Sequence, residues 1–154
     1  MKKIYFCWII FAEIVGGLSG FLTREGMKIY ADSVVKPFLS PPAIIFPVVW
    51  TILYALMGIG AARVYTSPKS SDRTKGLRMF MLQLGINFAW CFVFFTFRKY
   101  LAAFIVLIAL LISVVYMSVL FRKIDKLSGN LQVPYILWLI FAGYLNFAVW
   151  YLNV

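Results

Sequence analysis

The chain has 154 residues, 64% hydrophobic and only 13% charged, with a mean hydropathy of +0.92. A water-soluble domain of this length needs far more polar surface to cover its core, so a soluble globule is excluded. The formal charge of +10, from 15 Lys+Arg against 5 Asp+Glu, would suggest nucleic acid in a soluble protein. Here the basic residues fall between apolar runs, where they anchor helix ends and meet anionic headgroups. The expected partner is therefore the lipid bilayer and not nucleic acid.

Crossing about 30 Å of hydrocarbon takes roughly 20 apolar residues in a helix. The composition thus predicts an all-α membrane protein, a single bundle of five transmembrane helices in one domain over residues 1–154. The first helix covers about residues 4–22. Lys2, Lys3 and the apolar run after them mimic a signal peptide. Glu13 within that run, the lack of a clear cleavage site and the full-span length predict a retained helix instead. Residues 23–42 form a polar loop punctuated by Pro37, Pro41 and Pro42, and the Ser40-Pro41-Pro42 stretch leads rigidly into the next helix. That helix covers about 43–65, with Pro47 in its first turns. A short basic turn, SPKSSDRTKG, precedes the third helix, about 77–97. Arg98 and Lys99 mark a tight turn before the fourth, about 100–121. RKIDKLSGN then leads to the fifth, about 131–153, with Pro134 near its start.

Basic residues set the expected orientation. Lys2, Lys3, Arg63, Lys69, Arg73, Lys75, Arg78, Arg122, Lys123 and Lys126 fall on the side of the N-terminus. Only Arg24, Lys28, Lys36, Arg98 and Lys99 fall on the other. The positive-inside rule places the N-terminus in the cytoplasm and the Pro-rich loop and C-terminus outside.

Three helices carry stripes that are not simply apolar. On the second, Phe46, Trp50, Tyr54, Met57 and Ala61 share one face by helical spacing. Gln83, Asn87, Trp90, Cys91 and Phe94 do so on the third, and Trp138, Ala142, Leu145, Asn146 and Val149 on the fifth. Amides in hydrocarbon seek partners, so these faces turn inward. Two readings stay open: interhelical hydrogen bonds with aromatic packing, or a pocket for a flat, mostly apolar ligand with a few polar edges. Cys7 and Cys91 lie inside apolar runs with no metal-ligand spacing, and histidine is absent, so no metal site and no required cofactor is expected. Glu13 shares a face with Gly16, Gly17 and Gly20. It reads either as a functional carboxyl or as a protonated structural one. Small-residue pairs, Gly16/Gly20, Gly58/Ala62 and Gly85/Ala89, suit internal crossings or a homodimer contact.

Residues 16–60, GGLSGFLTREGMKIYADSVVKPFLSPPAIIFPVVWTILYALMGIG, resemble the translocator protein family, also called tryptophan-rich sensory proteins or peripheral-type benzodiazepine receptors. The resemblance rests on Gly16-Gly17, Arg24-Glu25-Gly26, Tyr30, Lys36-Pro37, Pro41-Pro42, Trp50, Leu53-Tyr54 and Met57-Gly58. Asn87, Trp90 and Phe94-Phe95 continue it, as does PYILWLIFAGYLNFAVW near the C-terminus. It implies a five-helix bundle in a bacterial cell membrane, with a pocket beneath the first loop that binds porphyrins or similar tetrapyrroles. By that analogy Trp50, Tyr54, Asn87, Trp90, Trp138, Ala142 and Leu145 line the pocket, and Tyr30 and Pro41 form its lid. The stripes add Phe46 and Cys91. Light-dependent porphyrin breakdown, known in some bacterial members, would draw on Trp50 and Trp138. The absence of histidine favours a metal-free, protoporphyrin-like ligand. The family's mitochondrial cholesterol motif needs a basic residue after the final helix's Tyr, and the chain reads Tyr151-Leu152-Asn153-Val154. Two other functions compete: a proton-coupled exporter using Glu13, and a non-catalytic membrane scaffold.

Overall fold

The computed structural model describes all 154 residues and contains helices but no strands. Five helices are long and apolar enough to cross a membrane. They are α1 (Lys2–Leu22), α3 (Ile45–Thr66), α4 (Ser71–Cys91), α5 (Tyr100–Ile124) and α7 (Val133–Leu152), with α4 extended by a π-helical turn, Phe92–Thr96. Two short helices join them: α2 (Arg24–Ser33) and α6 (Lys126–Asn130).

The bundle is a ring. α1 packs against α3 and more loosely against α4, α4 packs along α5, and α5 along α7. Glycine makes the α1–α3 crossing close: a Cβ on Gly58 would collide with the Ile9 backbone and the Trp8 carbonyl. The ring closes differently between α3 and α7. Their backbones scarcely approach, and aromatic side chains fill the seam. The exterior carries large apolar side chains, among them Ile105, Ile112, Leu137 and Ile52, each more than half exposed. In water such a surface would be untenable; facing acyl chains it carries no penalty.

The expected spans are present, with shifted ends. α4 begins at Ser71 rather than near 77, because Ser70 caps it: the Ser70 hydroxyl accepts from the Arg73 N–H at 3.1 Å, and Asp72 sits in the first turn. Hydropathy locates the part of a helix inside hydrocarbon and misses polar turns outside it. The loop expected at 23–42 contains α2. This helix packs its Gly26 on the Phe95 backbone so tightly that a Cβ would overlap the Phe95 carbonyl. The stretch expected before the last helix includes α6. Asp125 caps α6, accepting from the Ser128 N–H at 2.9 Å and the Ser128 hydroxyl at 2.7 Å.

Asp125 also receives two hydrogen bonds from Arg63 of α3: Nε to Oδ2 at 2.6 Å and Nη2 to Oδ1 at 3.0 Å. This bidentate pair ties α3 to the α5–α6 corner. The Arg63 guanidinium holds the Asp125 carboxyl far below the usual carboxylate range, with the Ser128 bonds acting in the same direction.

Candidate functional site

The inward faces of α3, α4 and α7 meet in one polar and aromatic cluster. Asn87 of α4 donates through Nδ2 to the hydroxyls of Tyr54 on α3 and Tyr135 on α7, at 3.1 Å each. Tyr135 in turn donates to Gln83 Oε1 at 2.8 Å, and Gln83 Nε2 contacts Met57 Sδ at 3.5 Å. All these side chains are buried. In a medium without water an amide or phenol must find partners within the protein, which explains why they converge.

Aromatic rings extend the cluster through the α3–α7 seam. Trp50 lies 5.6 Å from Tyr54, 6.1 Å from Tyr135 and 6.5 Å from Trp138, centroid to centroid. Phe46 meets Trp138 edge-on at 5.9 Å. The fit depends on α1 as well, since a side chain at Gly16 would intrude on the Tyr54 ring. Two buried polar atoms here have no protein partner: Asn87 Oδ1 and Trp138 Nε1.

The other expected residues lie around this centre. Trp90 donates to Asn146 Oδ1 of α7 at 3.0 Å, and Asn146 donates onward to the Tyr100 carbonyl at 2.8 Å. Cys91 is buried with its thiol 3.8 Å from the Ser19 hydroxyl of α1. Ala142 and Leu145 are buried on α7. Glu13 is half-buried and belongs to neither of the chain's two ion pairs. The small-residue pairs divide: Gly58 is packed inside, whereas Gly17, Gly20 and Gly85 have no atom within 4 Å of where a Cβ would stand, and of these Gly17 and Gly85 are exposed.

Tyr30 sits on α2 against Phe94 and Phe95, at 5.5 and 5.7 Å, with Lys36 Nζ 5.3 Å above its ring. Burial pushes its phenol up from the ordinary value, so it stays neutral. Phe94 stacks on Trp90 at 5.2 Å, which connects Tyr30 to the α4–α7 contacts. The consecutive rings Phe94 and Phe95, both in the π-helical turn, meet Tyr30 together. Pro41 is half-buried in a strap, residues 34–44, that runs from α2 to α3. The strap is pinned to α7. Asn153 pairs with the Val35 backbone in both directions, at 3.0 and 2.9 Å, and Tyr144 donates to the Phe38 carbonyl at 2.7 Å.

Sequence reasoning misses Tyr135, Asn153 and Tyr144. Tyr135 carries a usable signal, since it lies one turn before Trp138 on the same face. The strap contacts join residues more than a hundred positions apart and leave no local signal.

A profile of the TspO/MBR family matches residues 6–152. The chain belongs to the TspO/MBR family. It is 42% identical to Protein CrtK of Rhodobacter capsulatus, over 99% of this chain and 95% of that protein. It is 36% identical to the tryptophan-rich protein TspO of Chlorobaculum tepidum, over 90% of this chain and 89% of the relative. The human translocator protein is 31% identical, over 86% and 79% respectively. This TspO/MBR protein is thus an integral membrane protein related to translocator and tryptophan-rich sensory proteins.

Proposed function

We propose that this TspO/MBR protein binds a metal-free porphyrin, or a similar flat tetrapyrrole, in the seam between α3, α4 and α7 beneath the strap. The supporting observation is the pair of unpartnered buried atoms, Asn87 Oδ1 and Trp138 Nε1, set among the rings of Trp50, Tyr54 and Tyr135. An orphaned acceptor and donor in hydrocarbon are costly. A flat ring bearing polar edges would satisfy both while its faces stack on indole and phenol. The seam can open to admit it, because side chains and not interlocked backbones hold α3 to α7.

Illumination of a bound porphyrin beside Trp50 and Trp138 would let the excited ring take one electron from an indole. The products are a porphyrin radical anion and an indole radical cation, with dioxygen as the final oxidant in porphyrin breakdown. The exposed Gly17 and Gly85 suit contact with a second copy in a homodimer. In a bacterial cell membrane the basic end, with the N-terminus, faces the cytoplasm.

The test is a protoporphyrin titration of the purified protein, followed by tryptophan emission. Quenching should saturate at micromolar ligand, and Asn87→Leu should weaken it. Trp50→Phe combined with Trp138→Phe should abolish light-dependent loss of the porphyrin while the bundle remains folded. Emission unchanged at excess porphyrin would refute the reading.

A further inference from the structure

A separate cleft of about 540 Å³ lies at the basic end of the bundle, beside α1 and the start of α4. Lys69, Arg73 and Arg78 line it together with Thr74 and the apolar Trp8, Leu77 and Met81. Arg73, Leu77 and Met81 follow one another at i, i+4 and i+8 on α4, so one helix face runs from charge into hydrocarbon.

The three cations lack carboxylate partners. The chain's two ion pairs are Arg24–Glu25 and Arg63–Asp125, and neither involves this cleft. Arg73 is nevertheless held in place. Its guanidinium lies over the Tyr65 ring at 5.1 Å, Tyr65 packs on Trp8 at 5.6 Å, and Trp8 meets Phe80 edge-on at 5.5 Å. Within this stack Arg73 Nε is buried and has no hydrogen-bond partner. A buried N–H on a fixed cation is unfavourable unless an acceptor arrives, and the guanidinium fork matches phosphate oxygens. A mobile surface lysine would carry no such requirement.

We propose that this cleft is a specific site for one anionic phospholipid. Lys69, Arg73 and Arg78 hold the phosphate, with Arg73 Nε donating to one of its oxygens. An acyl chain lies along Leu77, Met81 and the Trp8 indole. A free phosphate would use the cations but leave that apolar path uncovered, which is why the lipid is the better occupant.

The experiment is native mass spectrometry of the full-length protein in detergent, with phosphatidylglycerol or phosphatidylcholine added. One phosphatidylglycerol per chain should be retained, with a preference over phosphatidylcholine on the order of tenfold. Arg73→Gln with Arg78→Gln should cut that preference to about twofold or less. Lys28→Gln with Lys99→Gln removes the same charge at the opposite end and should leave the preference unchanged. Equal losses in the two double variants, or no preference in the parent, would overturn the proposal in favour of diffuse charge attraction. Inorganic phosphate that displaces the lipid and raises the thermal midpoint as much would also overturn it. If the Arg73/Arg78 variant fails to fold, Lys69→Gln, on an exposed side chain, should still lower retention by about threefold; unchanged retention rejects the site.

Discussion

Asn87 uses a single amide nitrogen to hold the hydroxyls of Tyr54 and Tyr135, 3.1 Å from each. Those tyrosines stand on α3 and α7, whose backbones do not otherwise pack. One side chain from α4 therefore spans the seam that aromatic rings fill. The same amide keeps its oxygen unpartnered, so its donor is committed to the fold while its acceptor is free for a ligand.

Replacing Asn87 with Leu should separate those roles. Two phenols lose a donor, and intramembrane hydrogen bonds contribute about 1 kcal/mol each or less. We expect a loss of roughly 1–2 kcal/mol, read as a lowered thermal midpoint in detergent. Porphyrin affinity should fall further than stability, because the acceptor Oδ1 also disappears. Asn87→Asp is the informative comparison: it keeps an oxygen but loses the donor, so some affinity should survive. Equal affinity loss in both variants would assign Asn87 a purely structural role.

Much of this cluster is legible in the sequence, for a definite reason. Phe46, Trp50 and Tyr54 fall at strict four-residue spacing, and Asn87 and Trp90 at three, so the inward faces of α3 and α4 follow from helical geometry. What periodicity does not reveal depends on tertiary contact. α2 has a polar sequence just ahead of the first prolines and reads as loop; its close seat on Phe95 through Gly26 depends on α4 being in place. Tyr135 occupies the first turn of α7, where an aromatic ordinarily reads as an interfacial anchor. Its burial comes from Gln83 and Asn87 arriving from another helix. The G-x-x-x-G of α1 is a related case, with Gly16 packed under Tyr54 and Gly20 having no neighbour within 4 Å of a Cβ.

That division gives a steric prediction. Gly16→Leu should displace Tyr54 and prevent compact folding, seen as aggregation on size exclusion, because the obstacle is a ring fixed by Asn87. Gly17→Ala has open space around its new carbon and should leave the monomer's thermal midpoint within about 0.5 kcal/mol equivalent. A well-behaved Gly16→Leu protein would show that the α1–α3 contact adjusts more freely than its geometry implies.

The strap invites a dynamic test. Asn153 holds the Val35 backbone at both its N–H and its carbonyl, and Tyr144 holds Phe38. Asn153→Ala combined with Tyr144→Phe removes these ties without touching the seam. Proteolysis between residues 34 and 44 should accelerate on the order of tenfold, as expected when about 1.4 kcal/mol of local protection is lost. Unchanged cleavage would mean that α2 and the prolines alone hold the strap.

The Arg63–Asp125 pair supplies a pH dependence with a determined sign. Pairing lowers the Asp125 pKa in the folded protein. Its contribution is therefore complete above the unfolded aspartate value of roughly 4 and is lost as pH falls through the lower folded value. The thermal midpoint should stay flat from about pH 8 to pH 5 on account of this group, then decline in acid. Asp125→Asn should lower the neutral-pH midpoint, because it removes the anion opposite Arg63 and weakens the α6 cap, and it should make the acid limb shallower. Both partners are about a quarter to a third exposed, at 32% and 25%, so solvent screening keeps the change modest, about 1 kcal/mol. An acid limb of the same slope in Asp125→Asn would transfer the effect to the remaining carboxylates and leave this ion pair without a part in it.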